Sequence, residues 1–150
     1  MNMTKTLIGA GCFWGIEEYY RKLNGVIETK VGYSGGKVVK PTYEEVCTGK
    51  TGHAEVVQIK FDENIISFQQ ILNHFWKCHD PTQLNRQGLD VGKQYRSAIF
   101  YYSKEQYNDA MESKEQTQIT FQRTIVTEIM PAQEFYLAED YHQLYFCKRA

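Results

Sequence analysis

Along this chain the apolar period switches between two residues and about three and a half, and the order of those switches leaves few folds open. Thr4 to Ala10 reads as a strand that runs into the tight turn Gly9-Ala10-Gly11. From Phe13 the apolar positions Phe13, Ile16, Tyr20 and Leu23 recur at helical spacing until Asn24-Gly25 supplies a stop. Val26 to Val31 favours a strand, residues 32–53 read as a long surface loop, and Ala54 to Phe61 as a second clear strand. Ser67 is a good N-cap for the strongest helical pattern, with Phe68, Ile71, Leu72, Phe75, Trp76 and His79 on one face, closed by Asp80-Pro81.

Beyond a polar loop, Gln94 to Tyr102 is predicted as a strand. Ser103-x-x-Gln106 reads as a capping box opening a helix with Tyr107, Ala110 and Met111 inward. Arg123 to Met130 is predicted as the last long strand, with a short helical signal over Ala138 to Leu144. The order β-α-β-β-α-β-α-β mixes hairpin-like links with helical crossovers. It predicts one α+β domain over residues 1–150: a two-layer α/β sandwich with a mixed, mainly antiparallel sheet and a ferredoxin-like core.

Composition removes several function classes. The net charge of −1, with no run of Lys or Arg, offers no field for a polyanion, so nucleic acid is not an expected partner. No apolar stretch approaches the roughly 18 residues that span a bilayer, and the first residues lack the apolar block of a signal peptide. A cytoplasmic monomer without a membrane partner is expected. The four cysteines, Cys12, Cys47, Cys78 and Cys147, are too dispersed for a secreted disulfide framework and are expected to be reduced thiols.

The segment Gly11-Cys12-Phe13-Trp14-Gly15 lies where a strand gives way to a helix. A first helical turn carries unpaired N–H groups and the positive end of the helix dipole, so Cys12 is expected to ionise more readily than an ordinary thiol. Phe13 and Trp14 are adjacent and cannot both point inward from one helical face, which puts at least one aromatic wall beside the sulfur.

This segment resembles the signature of the type A methionine sulfoxide reductases. The resemblance continues through Gly32-Tyr33-Ser34-Gly35-Gly36, Pro41 to Cys47, Gly52-His53-Ala54-Glu55, His79 to Thr82, Asn85 to Asp90, Gln94 to Ile99 and Glu139 to Gln143, covering nearly the whole chain. It implies that Cys12 attacks the sulfur of an S-epimer methionine sulfoxide, free or in oxidised proteins, passing through a sulfenic acid. Glu55 would deliver the proton that the departing oxygen needs, which requires a pKa raised by burial. Tyr43 and Tyr95 would bind that oxygen, Asp90 would share the pocket, and Phe13 and Trp14 would receive the methyl group and select one epimer.

By the same resemblance no cofactor or metal is bound, and oxidised Cys12 is restored by an external thiol: thioredoxin, glutaredoxin or glutathione. Many relatives carry a longer tail with a recycling cysteine, whereas this sequence ends at Ala150. Cys147, in an expected mobile terminus, is the first candidate for an internal resolving thiol and Cys47 the second; direct external reduction is the third route. His53, His79 and His142 are read as structural, and Arg86 as fixing its loop. The rival classes are a cysteine hydrolase pairing Cys12 with one of these histidines and a zinc module built on Cys47, His53, Cys78 and His79, whose spacing is poor.

Overall fold

The computed structural model describes residues 3–149. Its sheet has six strands: β1 (Met3–Ala10), β2 (Val26–Ser34), β3 (Ala54–Asp62), β6 (Ser97–Tyr101), β7 (Glu128–Pro131) and β8 (Tyr136–Leu137), in the order β7-β6-β1-β3-β2-β8. Strands β4 (Arg86–Gln87) and β5 (Asp90–Val91) form a separate hairpin. The helices are α1 (Phe13–Arg21), α2 (Tyr43–Cys47), α3 (Phe68–Lys77), α4 (Lys104–Gln118) and α5 (Tyr145–Lys148).

The central strands β6-β1-β3-β2 pair antiparallel throughout, and α1 carries the chain from β1 to β2 with β3 inserted between them. This split βαβ arrangement is the ferredoxin-like core that the element order predicts. Only β7 pairs in parallel, against β6, and the helical crossover such a pair requires is α4.

Strand alternation divides the core. Ile8, Val57, Ile59, Phe61 and Ile99 face α1 and α3, where Ile16, Tyr20, Ile71, Leu72 and Phe75 close over them. Leu7, Val56, Ala98 and Phe100 face the other way, against Ala132 and Phe135. Ser67 caps α3 with both halves of a capping box, and truncating the fully buried Phe75 to Ala would cost about 3–5 kcal/mol. Gly25, at φ +100°, ends the α1 segment where Ile65 and Ile66 leave no room for a Cβ.

Several sequence boundaries are corrected. Strand β2 runs on through Gly32 to Ser34, and residues 32–53 are not a structureless loop: Thr42 caps the one-turn helix α2, while Thr51 and His53 are buried. Strand β6 starts only at Ser97, because Lys93–Tyr95 winds into a 3₁₀ turn. Strand β7 begins at Glu128 because residues 123–126 pair elsewhere, with Ile125 N–H on the Gln118 side chain and Val126 N–H on the Pro81 carbonyl. Ser103 accepts from the Gln106 N–H as a cap should, but the Gln106 side chain bonds Tyr102 and Lys5 rather than closing a box. Of the three residues expected inward on α4, Ala110 is buried and Tyr107 and Met111 are exposed. Among the described residues no helix is long and apolar enough to cross a membrane.

Candidate active site

Gly11 turns the chain out of β1 at φ +103°, a conformation that disfavours any side chain, and a Cβ there would lie 3.0 Å from the Gln87 side chain. That turn makes Cys12 the residue before the first turn of α1. Its sulfur accepts no capping hydrogen bond, but the backbone N–H groups of Trp14 and Gly15 are near enough to favour the thiolate. The expected preference for thiolate is nevertheless corrected. Burial pushes the Cys12 thiol up to about 11, outweighing those donors, and the carboxylates of Glu55 and Asp90 add to the effect. Desolvation exceeds what one helical turn supplies, so the resting sulfur is a thiol.

Glu55 lies on β3 opposite Tyr33, on the face that α1 covers. One carboxyl oxygen accepts the Phe13 N–H at 3.2 Å, and the other is buried with no partner. Burial lifts Glu55 to about 8 against the pull of that N–H, with Asp90 pushing further upward. At neutral pH the residue is mainly a protonated acid, and its free oxygen is the one available to carry the proton.

The phenols complete the cluster. Burial drives Tyr95, at the end of its 3₁₀ turn, up to about 12, helped by Glu55, Cys47, Asp90 and Cys12. Tyr43, the first residue of α2, is raised by burial, by a hydrogen bond to the Cys47 sulfur and by Glu55. Both hydroxyls therefore remain donors at neutral pH. Phe13 is fully enclosed, its ring 5.8 Å from Tyr33 and 5.1 Å from His142. Trp14 is half-buried beside it. The seven residues named from the sequence, Cys12, Phe13, Trp14, Tyr43, Glu55, Asp90 and Tyr95, are thus brought to the N-terminal end of α1.

A frame that sequence reasoning did not assign surrounds them. Glu139 accepts the Tyr33 hydroxyl with one oxygen and the Tyr43 N–H with the other, both at 2.8 Å. His142 accepts the Trp14 indole N–H at 2.8 Å through Nδ1, so its proton sits on Nε2, which is buried and unpartnered. Burial keeps this imidazole neutral. Tyr145 stacks on Trp14 with centroids 3.6 Å apart. The signal for this frame was the block Glu139 to Gln143, in which His142 was read as structural, as found, while Glu139 was given no role.

The two resolving candidates occupy different places. Cys47 is exposed at the end of α2, where burial raises its thiol against the favourable influence of Tyr43 and Gln94, and it acts on Tyr95. Cys147 is exposed on α5 and is felt by Arg21, at the last turn of α1, the end opposite Cys12. Its segment is a helical turn packed on α1 through Tyr145 and Trp14, in contrast to the mobile terminus expected. Cys78 is half-buried and bonds the Phe75 carbonyl.

The rival readings lose their residues. His53 clamps the loop through Gly36 N–H and Val38 O, and His79, pushed down to about 4 by burial, bonds Phe75 O and Ser97. No described group of three His, Cys, Asp or Glu side chains converges as metal ligands. Arg86 holds its loop through the Gly88 carbonyl, as expected.

A half-buried thiol, a carboxyl raised by burial and two phenols gathered on an α+β sandwich are the groups a thiol-based oxidoreductase uses. The chain belongs to the peptide methionine sulfoxide reductase family, whose family model matches residues 4–150. It is 57% identical over 149 residues to the peptide methionine sulfoxide reductase MsrA of Methanosarcina acetivorans, covering 98% of this chain and 79% of that one. The fold superposes on reduced Mxr1 from Saccharomyces cerevisiae with a TM-score of 0.93 at 38% identity, over 97% of this chain and 85% of that one. Mxr1 in complex with Trx2 matches with a TM-score of 0.69 at 26% identity, over 95% of this chain and 84% of that one. The protein is an enzyme that reduces methionine sulfoxide and so repairs oxidised methionine.

Proposed function

We propose that Cys12 is the nucleophile and Glu55 the acid in reduction of the S-epimer of methionine sulfoxide. The observation that carries this is the buried Glu55 carboxyl beneath the first turn of α1, raised to about 8, with one oxygen held by Phe13 N–H and the other free. A sulfoxide oxygen leaves only when protonated or strongly hydrogen-bonded, and a carboxyl still holding its proton at neutral pH meets that need. When Glu55 is protonated, the larger of the two negative charges that oppose ionisation of Cys12 disappears. The positively polarised sulfur of the substrate then supplies the charge that favours thiolate.

Cys12 sulfur bonds to the sulfoxide sulfur as the proton of Glu55 passes to the sulfoxide oxygen. Tyr43 and Tyr95 hold that oxygen through their hydroxyls, Asp90 borders the pocket, and Phe13 and Trp14 seat the methyl group. Transfer of the oxygen to Cys12 releases methionine and leaves a sulfenic acid: the thiol is oxidised by two electrons and the sulfoxide reduced by two. Three fixed points, nucleophile, oxygen donors and methyl seat, admit one epimer.

For recycling we favour Cys47 over Cys147. A Cys47 thiol condensing with the sulfenic acid gives a disulfide and water, and the place of Cys47 beside Tyr43 supports this. An external dithiol of the thioredoxin class then reduces that disulfide, a reading supported by the likeness to Mxr1 solved with Trx2. Four free thiols suit a cytoplasmic enzyme acting as a monomer on free methionine sulfoxide and oxidised proteins.

The test is single-turnover consumption of each epimer. Wild type should consume the S-epimer only and form one equivalent of sulfenic acid or disulfide. Cys12→Ser should consume none while remaining folded, and Glu55→Gln should bind substrate and turn it over at least about a hundredfold more slowly. Normal turnover by Cys12→Ser would refute the assignment.

A further inference from the structure

Among the described residues, Glu17 and Glu55 are the carboxyls buried to 1% exposure. The proposed reaction uses Glu55 and gives Glu17, on α1, no part. One Glu17 oxygen accepts the Thr29 hydroxyl of β2 at 2.8 Å, and the other accepts the Leu144 N–H at 2.7 Å across 127 positions of sequence. A carboxyl taken out of water is costly unless its oxygens are partnered, and these two donors oppose the burial that raises it.

Leu144 opens α5 in the left-handed region, at φ +51°, with no side-chain cap. An L side chain disfavours that backbone, and a helix of four residues is too short to hold itself. The Glu17 oxygen supplies the contact that fixes this turn, and what the turn sets is the next residue. Tyr145 stacks on Trp14 with the ring planes 5° apart. The guanidinium of Arg149 lies 3.6 Å from the Tyr145 centroid and must take the opposite face, because two groups that close cannot share one. An exposed, flexible arginine cannot place the ring, which leaves the Tyr145 backbone to do so. Trp14 and Glu17 are three positions apart on α1, so the carboxyl sits one helical turn along from the indole, on the same side.

We propose that Glu17 is a positioning residue for the methyl seat: by holding the Leu144 N–H it fixes the turn that lays Tyr145 on Trp14. The inference rests on the reading of Trp14 as part of that seat and adds a residue that acts through Leu144 and Tyr145 without touching substrate. Loss of the Glu17 acceptor frees the turn, Tyr145 leaves the indole, and Trp14 keeps its tie to His142 but not its stack. Binding of the methyl group then weakens equally in the ground and transition states, so KM moves and kcat does not.

The experiment measures KM and kcat for free methionine sulfoxide, with dithiothreitol as reductant, and fluorescence in a Trp76→Phe background, where Trp14 is the one indole. Glu17→Met, similar in bulk and without an acceptor, should raise KM about three- to tenfold at unchanged kcat and shift Trp14 emission to the red. Glu17→Gln should restore both values, because its amide oxygen still accepts the Leu144 N–H while its NH₂ donates to Thr29. Thr29→Val removes the other partner of the carboxyl and should lower the melting temperature while leaving KM and emission as in wild type. Should Glu17→Met fail to fold, Glu17→Asp, whose carboxyl falls short of Leu144, must show the same two changes. Wild-type KM and emission in the variants lacking the contact, an equal KM rise in Thr29→Val, or no restoration by Glu17→Gln would each overturn the proposal. An unchanged KM in Trp14→Leu would instead overturn the methyl seat, while emission still reports whether Glu17 sets the surroundings of Trp14.

Discussion

The indole N–H of Trp14 and Nδ1 of His142 meet at 2.8 Å across 128 positions of sequence. Trp14 is thereby fixed at its polar edge by His142 and across its face by Tyr145. An aromatic wall held on two sides would stay in place under the proposed methyl seat, where placement of that group separates the two epimers.

Replacing His142 with Phe keeps the bulk and removes the acceptor, leaving a half-buried indole N–H without its partner at a cost of about 1–3 kcal/mol. The expected outcome is a KM for methionine sulfoxide raised about tenfold, with altered Trp14 fluorescence. His142→Asn, which restores an acceptor near the position of Nδ1, should recover part of the loss. An unchanged KM in His142→Phe would show that the indole contact does not orient the wall.

The raised Glu55 makes two pH predictions. Turnover should fall as pH rises through about 8, where the acid loses its proton. Stability should fall earlier, between about 4.5 and about 8. Between the ordinary value of 4.5 and about 8 the folded chain binds a proton that the unfolded chain has released, so folding weakens as pH rises. Glu55→Gln removes the buried charge and should be more stable than wild type at pH 9, on the order of 2 kcal/mol, and no more stable at pH 4. Thermal melts of both proteins at pH 4, 7 and 9 make the check.

Glu139 behaves oppositely. Burial would raise its carboxyl, but the N–H of Tyr43, its own N–H and the Tyr33 hydroxyl outweigh burial and hold it below the ordinary carboxylate range. Its contribution is complete at neutral pH and is lost as pH falls through the depressed value. Glu139→Gln sets an amide NH₂ against one of two donors and should cost about 1–3 kcal/mol near pH 7, with the difference shrinking as acid protonates the carboxylate. Denaturant midpoints at pH 7 and pH 3.5 test this, and equal deficits at both would contradict it.

Recycling separates the exposed cysteines. After one equivalent of substrate, wild type should hold a Cys12–Cys47 disulfide by peptide mass mapping. Cys47→Ser should keep its first turnover, accumulate a sulfenic acid that dimedone traps, and slow multiple turnover with thioredoxin about tenfold or more. Cys147→Ser should match wild type. A Cys12–Cys147 disulfide in wild type would reverse the assignment.

The legible parts of this molecule were those with a local cause. Cys12 is marked by a glycine turn and a helix start, and α3 by Ser67 and an apolar face, so both appear in the sequence as they do in the fold. What failed to show depends on distant partners. Strand β7 is shortened because Pro81 and Gln118 take the N–H groups of residues 125 and 126. The Cys12 pKa moved against expectation because burial acts in three dimensions while the helix end is visible in one. The block holding Glu139 and His142 showed His142 as structural but not what either residue holds, since their partners Tyr33, Tyr43 and Trp14 lie roughly a hundred residues or more upstream.

That separation has a consequence for biosynthesis. Domains form vectorially as the chain leaves the ribosome, N-terminal parts first. Cys12 emerges early, yet the residues that seat Trp14 and Tyr43 are translated more than ninety positions after them. A nascent chain thus exposes its reactive sulfur without an organised pocket, and reductase competence should switch on abruptly once residue 145 is free to dock.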